Sequence, residues 1–232
     1  MRGREQLDKL QHYFETNNGR LIHKWMHYFA IYERHFERFV GQEVNILEIG
    51  VSHGGSLQMW KQYFGDKATI VGIDIDPRCK SFEEEQVSIL IGDQGDRNFW
   101  RTQKSALPTF DIIIDDGGHH MHQQKISYEE MFPLLSEQGV YLIEDMHTSY
   151  EAEFGGGYKE PNSFIEYSKT LIDQLNAWYS RDAQLGVNSF TTSTWSMSFY
   201  DSVLVIEKRP KEAPHAEKNR NSLLVNYSSK YV

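Results

Sequence analysis

Asn45-Ile-Leu-Glu-Ile-Gly-Val-Ser-His-Gly-Gly-Ser56 sets the reading of the whole chain. Its first five residues form a short apolar run that ends at Gly50, and a helical stretch follows from about Ser56 to Phe64. Strand, glycine turn and helix in that order make the first half of a βαβ unit. Downstream come Thr69-Ile-Val-Gly-Ile-Asp74 and Val87-Ser-Ile-Leu-Ile91, a helical segment over about 96–105, and then Phe110-Asp-Ile-Ile-Ile-Asp115. A helix over about 123–135 leads through Gln138-Gly139 to Val140-Tyr-Leu-Ile143. These strands are apolar almost without interruption, which predicts burial on both faces of a parallel sheet flanked by helices.

Residues 161–179 read as a longer helix, and Trp195–Phe199 with Ser202–Ile206, joined at Tyr200-Asp201, read as a hairpin. The aromatic-rich first 40 residues read as a helical cap over one end of the sheet. Residues 41–208 are then the ligand-binding, catalytic domain, and 209–232 a tail whose Leu223–Tyr227 segment either docks or stays free.

Composition narrows the function. The chain has 232 residues, 39% of them hydrophobic and 13% aromatic, enough for one globular α/β domain. Its formal net charge of −9, with no basic run, disfavours nucleic acid and anionic membrane as partners. The single cysteine, Cys79, allows neither an intrachain disulfide nor a thiolate cluster for zinc. With no apolar core at the N-terminus and no apolar run near ~20 residues, the expectation is a soluble, cytoplasmic protein.

Open α/β sheets bind ligands at the carboxyl ends of their strands, so the strand ends carry the candidate site. After the first strand, Glu48, Gly50, Ser52, Gly54 and Ser56 form a loop whose glycines allow a sharp turn and close approach of a ligand. The helix amides that follow suit a carboxylate. Ser52 stands where the dinucleotide fingerprint needs glycine. The loop, with its acid two residues before the first glycine, resembles the first motif of class I methyltransferases, which holds the methionine end of S-adenosylmethionine. A plain βα turn is the alternative. Asp74, ending the second strand, suits ribose hydroxyls, or a simple helix cap. Asp93 and Gln94, after the third strand, suit the adenine amino group.

The fourth strand ends in Asp115-Asp116-Gly-Gly-His119-His120-Met-His122, and the fifth in Glu144-Asp145-Met-His147. With the two strands adjacent, Asp116, Glu144 and Asp145 converge, and crowded carboxylates repel unless protonated or bound to a cation. An oxygen-only set suits Mg²⁺, Mn²⁺ or Ca²⁺. His119 is placed to serve as a general base, the alternative being a polar loop residue.

Phe110–His120 and Val140–Tyr150, with His23-Lys-Trp, His27-Tyr-Phe, Tyr32–Phe36 and Phe199–Ser202, resemble the metal-dependent sugar O-methyltransferases of macrolide and tetracenomycin biosynthesis. The likeness runs from about residue 20 to 208. It implies a Rossmann-like class I methyltransferase fold, a mostly parallel seven-stranded sheet with an antiparallel C-terminal hairpin. It also implies bound S-adenosylmethionine, with Asp115 among the cofactor-binding residues, and Mg²⁺ on Asp116, Glu144 and Asp145. His119 would be the base that activates a sugar hydroxyl in antibiotic biosynthesis. The macrolide members carry a large N-terminal domain without a counterpart in this reading, which leaves substrate and homo-oligomeric state open. Competing readings are a catechol or small vicinal-diol methyltransferase, a member acting in complex with a hydroxylase, and a non-catalytic cofactor-binding homologue.

Overall fold

In the computed structural model, which describes residues 9–217, the apolar runs become β1 (Val44–Ile49), β2 (Ala68–Asp74), β3 (Val87–Ile91), β4 (Phe110–Asp115) and β5 (Leu135–Ile143). The hairpin supplies β6 (Thr194–Tyr200) and β7 (Val203–Lys208). They form one seven-stranded sheet in the order β3-β2-β1-β4-β5-β7-β6. The first five strands pair in parallel, while β7 runs antiparallel to both β5 and β6. This is the class I methyltransferase fold expected from the sequence.

Alternate residues of a strand face opposite sides of a sheet, and here both sides are covered. Ile46, Ile112, Ile114, Val140 and Leu142 pack on one side with the buried aromatics of α2 (Tyr28–Phe36) and α3 (Gly55–Phe64), and Leu10 of α1 (Lys9–Thr16) joins them. Leu47, Ile113, Tyr141 and Ile143 pack on the other side with α5 (Met121–Met131) and α6 (Phe164–Leu175). Burying each of these side chains is worth roughly 1.5–3 kcal/mol, so the two layers commit the chain to this topology. The remaining helices are α4 (Arg97–Gln103), whose first turn is capped by Asp96, and the short α7 (Ser189–Ser193). The chain crosses from one flank of β1 to the other between β3 and β4, so the loops after β1 and β4 diverge and leave a cleft.

Three boundaries differ from the sequence reading. The helix expected to reach Leu135 ends at Met131, because Pro133 lacks an amide hydrogen and sits in a 3-10 turn, Phe132–Leu134. Leu135 already belongs to β5, whose pairing with β4 is irregular between Phe110 and Ile112. The helix expected over 161–179 is shorter, starting after the Ser163 cap and giving way to a 3-10 turn at Ala177–Tyr179. Residues 17–27, read as part of a helical cap, contain no helix and pass over the cleft instead.

Residues 209–217 are irregular, tied back by Arg209 N to Ser193 O (2.7 Å) and Lys211 N to Thr192 O (2.9 Å). Leu223–Tyr227 lies outside the described residues. Among those described, no helix is long and apolar enough to cross a membrane.

Candidate active site

The cleft is built around Gly50. Its φ of +95° is one that L side chains rarely adopt, and a Cβ here would lie 2.0 Å from the carbonyl oxygen of Asp116. Only glycine lets the loops after β1 and β4 touch in this way. Asp74 fixes the β1 loop from the side: its Oδ2 accepts from the amides of Val51 and Ser52, both at 2.9 Å, and its Oδ1 from the amide of Asp76 at 2.8 Å. Gly54, at φ +73°, presses against the Phe82 ring.

Two adjoining cavities open here. One, of about 200 Å³, lies over β2 and β3 and is lined by Asp74, Ile75, Asp93, Gln94 and Gln123. The other, of about 330 Å³, lies over β4 and β5 and is lined by Lys24, Trp25, Ser56, His119, Glu144 and Asp145. Gly50, Ser52, Asp116 and Gly117 line both, so they form one continuous trough.

Two residues expected to touch the cofactor stand behind this trough. Glu48 is fully buried and accepts from Ser56 Oγ and Trp60 Nε1, both at 3.0 Å, and burial pushes its carboxyl up to about 7. Asp115 is equally buried, accepts from Gln94 Nε2 at 2.9 Å, and is also pushed up to about 7 by burial. Neither lines a cavity. Gln94 links the layers, because its Oε1 accepts from the Gly118 amide at 2.8 Å.

Asp116, His119, Glu144 and Asp145 come together as the strand order requires. His119 Nε2 lies 3.4 Å from Asp145 Oδ2 and 3.8 Å from Asp116 Oδ1. Its Nδ1 is buried without a hydrogen-bond partner. One ligand atom from each of Asp116, His119 and Asp145 lies within 4.8 Å of the others, close enough for one metal ion to touch all three. Glu144 is not among that trio, and a lysine bridges it to Asp116. Lys24 Nζ is 2.9 Å from each Glu144 oxygen and also bonds to Asp116. Burial alone would discharge this ammonium, but Asp116 and Glu144 reverse the effect and hold it above the ordinary lysine range.

Two tyrosines orient the acids. Tyr28 Oη donates to Asp145 Oδ1 at 2.6 Å, and Tyr32 Oη to Glu144 Oε1 at 2.7 Å. Sequence reasoning assigned Lys24, Tyr28 and Tyr32 to a cap and gave them no part in the site. The available signal was spacing: Lys24, Tyr28 and Tyr32 recur every four residues, and the two tyrosines occupy one face of α2.

Residues 47–146 match the family described as a methyltransferase domain. This stretch is a methyltransferase domain. It contains every residue named in the sequence as a cofactor or metal contact, whereas Lys24, Tyr28 and Tyr32 precede it. The chain is 34% identical over 191 residues to the 8-demethyl-8-alpha-L-rhamnosyl tetracenomycin-C 2'-O-methyltransferase of Streptomyces olivaceus, covering 78% of this chain and 50% of that one. It is 38% identical over 163 residues to the mycinamicin VI 2''-O-methyltransferase of Micromonospora griseorubida, covering 65% and 40%.

A methyltransferase of the mycinamycin pathway, solved in complex with Mg and SAH, superposes with a TM-score of 0.77 at 30% identity over 88% of this chain and 55% of that one. A further complex of that enzyme also contains mycinamycin VI. The chain spans about half the length of the curated relatives it matches. The resemblance of this methyltransferase domain to the sugar O-methyltransferases of these pathways therefore holds in sequence and in fold.

Proposed function

We propose that the protein transfers a methyl group from S-adenosylmethionine to a sugar hydroxyl of a glycosylated natural product, with Mg²⁺ at the acidic site. The observation that carries this is the meeting of Asp116, His119, Glu144 and Asp145 in a cavity continuous with the glycine-loop trough. The names of the relatives, which act on sugar positions, supply the substrate class.

The acidic site suits the ion. Its carboxylates are hard oxygen donors, and an ammonium already sits between two of them, so this position attracts a cation. Asp116, Glu144 and Asp145 would hold the metal, with Mn²⁺ or Ca²⁺ as substitutes. Gly50, Ser52, Ser56 and Asp74 would hold the methionine and ribose parts of the cofactor, and Asp93 its adenine, with Gln94, whose amide is taken up by Asp115, Ser127 and Gly118, forming the wall beside it. Gly54 shapes the loop, while Glu48 and Asp115 support it from behind. The catalytic unit is residues 41–208.

When bound, Mg²⁺ acidifies an acceptor hydroxyl and the cofactor supplies an electrophilic methyl carbon. This chain's residues do the rest. His119 takes the hydroxyl proton on Nε2, the ring nitrogen that faces the carboxylates. Tyr28 fixes Asp145 and Tyr32 fixes Glu144, so the acids do not have to reorganise. The trough aligns acceptor and donor, which in good cases supplies ~7–11 kcal/mol of barrier reduction.

Calorimetric titration with S-adenosylmethionine, with and without EDTA, and then with Mg²⁺ alone, tests the assignment. The expected result is cofactor binding in both conditions and a Mg²⁺ site that disappears in Asp116→Asn. Failure of the cofactor to bind would overturn the assignment.

A further inference from the structure

The residue at the centre of the acidic site is Lys24, and its position is unusual for a structural ion pair. Its side chain is 3% exposed, and its ammonium touches both oxygens of Glu144 and one oxygen of Asp116. Those two acids belong to the set assigned above to the metal. The ammonium takes Oδ2 of Asp116 and leaves Oδ1 toward His119, but at Glu144 it takes both oxygens, so a divalent ion bound to Glu144 competes with it at close range.

The surroundings permit such an exchange. Lys24 lies in the stretch 17–27, which contains no helix, so it can withdraw without breaking the hydrogen-bond ladder of α1 or α2. Its neighbours Leu21, Ile22, His23 and Trp25 line the same cavity, so that withdrawal would open or reshape the acceptor side of the trough. Glu144 keeps a partner when the lysine leaves, because Tyr32 of helix α2 donates to its Oε1. Without the ion, a cation is needed there, since removing one partner of a buried pair leaves an uncompensated charge.

We propose that Lys24 is a displaceable placeholder cation, holding Asp116 and Glu144 in the ion-free site and yielding both to the divalent ion. It is a positioning residue, and the proposal rests on the metal-site reading above.

Lysine acylation of the full chain, read by mass spectrometry in EDTA and in saturating Mn²⁺, tests it without any variant. Lys24 should be protected in EDTA and gain at least about fivefold in labelling with Mn²⁺, whereas Lys104, paired with Glu130 away from the cleft, should not change. A Mn²⁺ titration by electron paramagnetic resonance adds a second readout: Lys24→Met should bind about tenfold more tightly than wild type. Mn²⁺ binding with Lys24 still protected, or a folded Lys24→Met that binds no more tightly, overturns this proposal and leaves the metal-site reading standing. If neither wild type nor Lys24→Met binds Mn²⁺, the metal-site reading falls and takes this proposal with it.

Discussion

His119 and Asp145, on the loops that follow β4 and β5, both adopt left-handed backbone, at φ +56° and +53°, and face each other at 3.4 Å. A non-glycine residue in that region is strained by ~1–3 kcal/mol, and two such residues in contact mark a site whose geometry is held by its surroundings. Replacing His119 with Gly should relieve strain and remove the base together. Thermal stability should stay level or rise, turnover should fall by ~100-fold or more, and cofactor affinity should change by less than about threefold. Parallel thermal melts, calorimetry and turnover assays make the comparison. Equal losses of affinity and turnover would assign His119 a structural role.

Gly50→Ala places a methyl group against the Asp116 carbonyl in a backbone conformation alanine resists. Two packed loops would have to separate, so the variant should lose more than about 2 kcal/mol of stability and bind S-adenosylmethionine poorly. Chemical denaturation of wild type and variant measures the first effect, and calorimetry the second.

Glu48 gives the pH dependence. Its folded-state pKa, about 7, lies above the unfolded value of 4.5 because of burial. The folded state therefore binds this proton more tightly, and the stability it contributes is complete below about 4.5 and lost as pH rises toward 7. Glu48→Gln cannot ionise, yet its amide oxygen can still accept from Trp60 or Ser56. The variant should gain stability relative to wild type between pH 5 and pH 8 by an amount on the order of 1–3 kcal/mol. Melting curves across that range would show it. A difference independent of pH would mean that Glu48 is ionised throughout.

Tyr28→Phe removes the 2.6 Å hydrogen bond to Asp145 with little change of shape. Partners of this kind tune metal ligands, and their loss lowers metal affinity by ~10-fold or more. Mg²⁺ titration of the variant should show that weakening with the fold intact by circular dichroism.

The sheet was legible because its strands carry their own signal. The apolar runs at Asn45–Ile49 and Phe110–Asp115 are too continuous for a half-exposed strand, and each ends in the glycine or acid that marks a carboxyl-end loop. That Asp116, Glu144 and Asp145 line one cavity followed from placing β4 beside β5. The contribution of Lys24 was not legible, because nothing local to His23-Lys-Trp25 shows that this stretch passes over strands that begin 20 or more residues later. The inward burial of Glu48 and Asp115 was hidden for a related reason. Whether a strand-end acid faces the ligand or the layer behind depends on partners such as Trp60 and Gln94, which only the folded chain supplies.

The most direct test of the account is formation of S-adenosylhomocysteine from S-adenosylmethionine, with a panel of deoxysugar and rhamnosyl glycosides set against catechols, in Mg²⁺ and in EDTA. The account predicts turnover on at least one glycoside, none on the catechols, and loss of that turnover in EDTA. Turnover on catechols alone, or turnover indifferent to EDTA, would contradict it.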